Sequence, residues 1–393
     1  IAKIKANIVA IETLQGIEKS GKEATSEQKK ILSKYVGWGG LASVLDEEKY
    51  KNRNLYSRDY NWNTKFLPYY ERLRELLSED EFRSALLSTT NAHYTAENIV
   101  RGLWSIATRL GFRGGNVLEP AMGVGNVLAF MPKSISENSN ITEFEIDSVS
   151  GRISKVLYPD ANIRVTGYET AFAPNTKDLV ITNVPFGQNA PYDSKLDRTL
   201  RKELGGAYNL HNYFIGKSLL ELKEGGVGIF ITSPAPLDGA DSRFRDYVVT
   251  QGCDLVGAIR LPNSAFLKNA GTEVTTDILV FRKRINGEIP NGVQFSALKE
   301  VGTGTYTEKV NGWIESRSKP ILVNEYFADH PEMMLGKMMT ASEAGSGGLY
   351  SNASLTCRAE EGQDTDALLG KAIRKFPKDI LEGGKIENVR LVE

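Results

Sequence analysis

The stretch VLEPAMGVGN, Val117 to Asn126, decides how this sequence folds. An apolar run ends in the acid Glu119 and turns through Gly123 and Gly125 toward a helical pattern. In a parallel sheet this junction lies beyond the carboxyl end of a strand, where ligands dock. Glycine there lets the backbone approach a ligand without a Cβ clash. Outward from it, short β-branched runs recur at Asn116–Glu119, Thr142–Ile146, Asn162–Thr166, Asp178–Thr182, Gly226–Ser233, Asp254–Arg260 and Asp277–Lys283. Helical patterns fall between them, most clearly Leu210–Glu224, closed by the Gly225-Gly226 pair. The alternation predicts an α/β fold with a doubly wound, mainly parallel sheet covered on both faces. The last strand follows a long loop rather than a helix, so it is expected to run antiparallel.

The flanks read differently. The first ninety or so residues are mostly helical in pattern, with Ser26 as an N-cap before a run from Glu27 to Leu32 and three glycines in YVGWGG, Tyr35 to Gly40. A second helical stretch, YYERLRELLSEDEFRSALL, has apolar residues at Leu73, Leu76, Leu77, Phe82, Leu86 and Leu87. Between them, Lys49 to Phe66 interleaves basic residues with Tyr50, Tyr56, Tyr60 and Trp62. That pattern suits phosphate contact with base stacking, and equally a solvated Tyr-rich surface. After Asn286 the pattern is less legible; AGSGGLYSNAS reads as a linker or mobile loop, and a final helix is expected over Asp364 to Arg374. The expected organisation is a helical region over 1–90, a central domain over 91–285 and an extension over 286–393.

Composition bounds the function. The 393 residues carry a formal net charge of -1, with 41% hydrophobic and 25% charged residues, which suits a soluble globular protein and argues against a histone-like binder. A DNA enzyme needs only a local basic surface, so it is not excluded. Cys253 and Cys357 fit no disulfide or zinc pattern, and with three histidines no metal centre is expected. No signal peptide or membrane span is evident, so a cytoplasmic setting is expected. Beginning at Ile1, the chain reads as a piece of a longer protein.

The chemistry concentrates at strand ends. A dinucleotide site wants a third glycine where this sequence has Leu128. Glu119 would repel a diphosphate and can hold a cationic amino-acid group. The second strand ends in FEID, Phe144 to Asp147, where Glu145 is suited to two ribose hydroxyls and Asp147 to capping a helix. GYET, Gly167 to Thr170, offers Glu169 to an adenine amine. The fourth strand delivers DLVITNVPFG, Asp178 to Gly187. The Asn183 side-chain carbonyl can accept from an amino group, a backbone carbonyl held by Pro185 can accept a second hydrogen, and Phe186 can stack on the ring that bears the amine. Asn or Pro alone commonly ends a strand. The order Asn-x-Pro-aromatic, after the glycine loop and FEID, is what argues for a site.

With these motifs the sequence resembles the amino-methylating class of DNA methyltransferases, whose signature is Asn-Pro-Pro-(Tyr/Phe). More closely it is similar to the methylase portion of large methylase–helicase proteins of phages and conjugative elements. The likeness runs from YVGWGG through HYTAENIV, VLEPAMGVGN and NVPFG to LPNSAFLKNAGTEVTTDILVFRKR. It implies a Rossmann-like seven-stranded methyltransferase sheet, S-adenosylmethionine as cofactor, a flipped adenine in DNA as substrate, and a helicase or other domains of a longer parent protein as partners. It implies cofactor contacts from His93, Tyr94, Thr95, Glu119, Pro120, Met122, Gly123, Gly125, Glu145, Ile146 and Glu169. It implies catalysis by Asn183, Pro185 and Phe186, with Phe266 as a second base-stacking ring. Val184 departs from the signature's first proline. Two other readings stay open: a protein glutamine N5-methyltransferase, and a non-catalytic DNA- or cofactor-binding module of an anti-restriction or conjugation protein.

Overall fold

The computed structural model describes residues 1–52, 60–91, 95–187, 189–204, 208–266, 273–310, 313–345 and 354–381. Seven strands form one sheet: β1 (Gly115–Glu119), β2 (Ser139–Phe144), β3 (Asn162–Arg164), β4 (Lys177–Asn183), β5 (Leu222–Thr232), β6 (Cys253–Leu261) and β7 (Thr276–Lys283). Their order is β3-β2-β1-β4-β5-β7-β6. Strand β7 is antiparallel to both β5 and β6, as expected from its loop connection. Strand β6 is buried along its whole length and β7 along all but its last residue. Their continuous apolar runs therefore reflect cover on both faces. This is the Rossmann-like methyltransferase sheet.

Local boundaries differ from the sequence reading where glycine acts inside an element. The helix expected to reach Glu224 ends at Glu221, and Leu222–Glu224 already belong to β5. Gly225, at φ +76°, lies where the β4–β5 pairing shifts register, between Lys177 and Leu179. The glycine pair thus bends a strand instead of closing a helix. Strand β3 is two residues shorter than expected, ending at Arg164.

The chain divides into two compact units. The first comprises Ile1–Tyr94, Ala121–Asn126 and Thr142–Tyr168. Its core gathers Ile4, Ile11, Leu14, Trp38, Leu73 and Phe82 with Val149 and Ile153 of the helix Ser148–Leu157. Thr25, not Ser26, caps the helix Ser26–Leu32, in a reciprocal capping box with Gln28. The buried Asn7 side chain donates to the Gly37 carbonyl at 2.6 Å and accepts from Val36 N at 3.0 Å, which fixes the glycine-rich turn. The second helical stretch is two helices, Leu67–Leu76 and Glu79–Asn91, parted at Ser78, which exchanges hydrogen bonds with Glu81. Part of the basic-aromatic segment is core: Trp62 is buried, donating to the Ser43 carbonyl, and Tyr50 stacks on Tyr70. Residues 53–59, with Tyr56, lie outside the described residues.

The second unit comprises Thr95–Pro120, Val127–Ile141 and Glu169–Glu393. Its buried Arg260 grips Asp277 at 2.8 and 2.7 Å and Asp238 at 2.8 Å, so a full positive charge in β6 is balanced within the core. The stretch after Asn286 contains a long antiparallel ribbon, β8 (Leu298–Val310) with β9 (Trp313–Asn324). The final helix runs Thr365–Lys375, capped by Asp364 as expected, and packs on the helix Glu97–Arg109 through Leu369 against Gly102. Residues 346–353, most of the expected linker, lie outside the described residues. Among the described residues no helix is long and apolar enough to cross a membrane, and no group of three His, Cys, Asp or Glu could hold a metal ion.

Candidate active site

In the first unit the glycine loop is built around one carboxylate. Gly123 N donates to Glu145 Oε2 at 2.7 Å and Asp147 N donates to Glu145 Oε1 at 2.7 Å. Met122 N donates to the Phe144 carbonyl at 3.0 Å. Gly123 and Gly125 sit at φ +57° and +77°, where a side chain is strained. A Cβ on Gly125 would also lie 3.2 Å from the Tyr158 ring. Burial, and then the charge of Asp147, push the half-buried Glu145 carboxyl up to about 8, against the pull of the backbone N–H groups of Asp147, Gly123 and Ile146. Asp147 is the helix cap expected, accepting from Ser150 N at 2.8 Å. Met122 is buried, while Ile146 is 74% exposed.

In the second unit β1 and β4 are parallel neighbours, with Val117 opposite Leu179 and Leu118 opposite Val180. Glu119 and Asn183 therefore end adjacent strands at the same edge. Glu119 and Pro120 are buried. Asn183 Nδ2 donates to Thr95 Oγ1 at 3.1 Å. Val184, where the family signature has a proline, is buried and donates its N–H to the Ile231 carbonyl at 3.0 Å. Sheet pairing thus steadies the loop at a position where proline would have no N–H to give. Pro185 and Phe186 are half-buried. Phe266 ends the short turn Asn263–Phe266 and is buried. Glu169 lies in the turn Tyr168–Thr170 and is half-buried. His93 and Tyr94 lie outside the described residues.

Two groupings of site residues are thus formed by direct hydrogen bonds: Gly123 and Asp147 on Glu145, and Asn183 on Thr95. Sequence reasoning missed what holds the chain beyond Phe186. Asp193 is buried and accepts from Lys217 Nζ at 2.7 Å and Tyr213 Oη at 2.8 Å, both on the helix Leu210–Glu221. Leu210 N closes the same segment onto the Gly187 carbonyl at 3.1 Å. The available signal was Lys217, a lone cation inside the apolar run YFIGKSLL.

No family model matches the chain. Over 282 residues, 71% of its length, it is 27% identical to the Defense against restriction protein B of Escherichia phage P1. Over 118 residues, 28% of its length, it is 31% identical to the Type II methyltransferase M.AccI of Acinetobacter calcoaceticus. The matches cover 10% and 22% of those two proteins, so the chain spans only a small part of each. A type I restriction-modification methyltransferase subunit from Streptococcus thermophilus is 14% identical and superposes with a TM-score of 0.43, over 71% of this chain and 66% of that one. Strand order and motifs define the class: an S-adenosylmethionine-dependent methyltransferase fold. Its relatives bear out the kinship with methyltransferases of modification systems and mobile elements that the motifs suggested. The loop fits that cofactor: Glu145 supplies a carboxyl group that can exchange hydrogen bonds with hydroxyls at a strand end, and Ala121–Asn126 contains no basic side chain of the kind a diphosphate would want.

Proposed function

We propose that the chain transfers the methyl group of S-adenosylmethionine to an exocyclic amino nitrogen of DNA, adenine N6, by direct attack of a base rotated out of the stack. The hydrogen bond from Asn183 to Thr95 carries this reading. With its nitrogen committed to Thr95, the amide turns its oxygen toward an incoming amine, and the carbonyl preceding Pro185 accepts the amine's second hydrogen. Two acceptors on a planar amine favour a pyramidal nitrogen whose lone pair attacks the methyl carbon. The N–C bond forms as the S–C bond breaks, and the nitrogen then releases a proton to water. Phe186 stacks on the base and Phe266 is its second ring. Glu145 holds the ribose hydroxyls, Glu119 the cofactor's ammonium group, and Thr95 also borders the cofactor. Much of the acceleration comes from positioning. Further domains of a longer parent protein, a helicase among them, are proposed partners, in keeping with the small share of the phage relative that the chain matches.

Transfer of tritiated methyl groups from labelled cofactor to plasmid DNA tests the proposal. The expected product is N6-methyladenine from the wild type and none from Asn183→Ala. Label in protein glutamine instead of DNA refutes the substrate and keeps the fold. Val184 and a relative named for defence against restriction favour a second reading, a non-catalytic module. Its signature is binding of DNA and cofactor with no transfer to any substrate.

A further inference from the structure

The helix Glu97–Arg109 begins beside Thr95 and carries a basic stripe along one face. Arg101 and Arg109 stand eight residues apart on the helix, about 80° round a 3.6-residue repeat, and Arg113, beyond the helix end, folds back to donate to the Thr108 carbonyl at 2.7 Å. Lys378 joins them from the segment after the final helix, and the four cations line a surface groove of about 580 Å³ together with Phe130. Asp379 is the single acid among the residues lining it.

The existing ion pairs are loose. Arg101 meets Glu97 at 2.8 Å with both side chains more than half exposed, and Arg113 and Lys378 share Asp379 at 3.3 and 3.5 Å. Exposed pairs of this kind are weak, so phosphate oxygens can replace them. The groove itself is fixed. Arg101 lies over the Phe130 ring at 4.9 Å, and Arg109 Nε donates to the Phe376 carbonyl at 2.5 Å. From Arg101 to Arg109 the helix rises about 12 Å, and Arg113 and Lys378 lie beyond its end. One DNA strand presents a charge about every 3.4 Å, so the stripe matches several successive phosphates rather than one.

We infer that this groove binds the phosphodiester backbone of DNA outside the target site, a second contact separate from the strand-end chemistry. The inference rests on DNA being the substrate. Arg101→Gln combined with Lys378→Gln tests it, by fluorescence anisotropy with a labelled duplex of about 30 base pairs across salt concentrations of about 50 to 200 mM. Losing two phosphate contacts should flatten the slope of log affinity against log salt by about 1.8, and weaken binding about 60-fold at 0.1 M salt. Melting temperature and calorimetric binding of the adenosyl cofactor should not change. An unchanged slope with intact DNA binding overturns the groove and leaves the substrate reading standing. Loss of inorganic triphosphate binding without loss of DNA binding makes the groove a small-anion site, which also overturns the inference. A wild-type protein that binds cofactor but no DNA removes the substrate reading and the groove with it.

Discussion

Replacing Thr95 by Val keeps the shape of the side chain and deletes the atom that accepts from Asn183 Nδ2 at 3.1 Å. Thr95 is 6% exposed, so the lost bond is not simply replaced by bulk water. A neutral hydrogen bond of this kind contributes about 1 to 1.5 kcal/mol. If it serves to orient the amide toward the reacting amine, the loss falls on the transition state. Single-turnover methyl transfer should then slow by about fivefold to tenfold. Asn183→Ala should come close to abolishing transfer, and adding Thr95→Val to it should cost nothing further, because the two residues act as one unit. Rapid-quench measurement of labelled methyl transfer reads the rate, and calorimetry reads cofactor affinity. Full activity in Thr95→Val refutes the orienting role. An unchanged rate with cofactor binding weakened by more than about 1 kcal/mol assigns Thr95 to the cofactor alone.

Three more perturbations follow from the packing. The Glu145 carboxyl is raised from an ordinary 4.5 to about 8, so its contribution to stability is present below the ordinary value and is lost as pH rises toward the raised one; relative to Glu145→Ala, ligand-free wild type should lose melting temperature from about pH 5 to about pH 8, and a pH-independent difference refutes this. Gly125→Ala forces a side chain to φ +77° and within 3.2 Å of Tyr158, so denaturant titration should show a loss of about 1 to 2 kcal/mol; an unshifted midpoint means the loop relaxes freely. Lys217→Met strips the buried Asp193 of its cation and should destabilise by about 3 to 5 kcal/mol, with Asp193→Leu restoring part of that in the double variant. Additive losses in that double variant would count against a coupled pair.

What was legible in the sequence was what burial writes into it. All seven strands of the central sheet were found, and β6 and β7 most plainly, because a strand covered on both faces must be a largely apolar run, and LVGAIRL and DILVFRK are such runs. Asp147 was separable from Glu145 because only one of two neighbouring carboxylates can cap the helix while the other faces the glycine loop. The ribbon of β8 and β9 escaped because most of its residues are exposed, so no alternation of apolar and polar residues marks it. Its one strong local signal, Asn311-Gly312 between two Thr- and Ile-bearing runs, is a common hairpin dipeptide. The Arg260 cluster and the Asp193 lock escaped for another reason. Each joins residues far apart in sequence, and a charge is informative there only once its burial is known.

Those unread pieces bear on the site. The strand supplies Asn183 and the position of the loop that follows, but a strand end cannot hold an extended loop by itself. Three fastenings do so: Val184 on β5, Gly187 on Leu210, and Asp193 on Lys217 and Tyr213. Two of them use the same helix, Leu210–Glu221, so the loop bearing Phe186 is anchored to that element on its far side and to the sheet on its near side. The family's first proline stiffens this loop by restricting one backbone angle. Here a sheet hydrogen bond at that same position, Val184, and a buried ion pair further along, Asp193 with Lys217, supply the restraint. Val184 is therefore compatible with a catalytic loop provided that those restraints hold. On this argument Lys217, which is distant in sequence from every motif, should influence methyl transfer more than its position suggests.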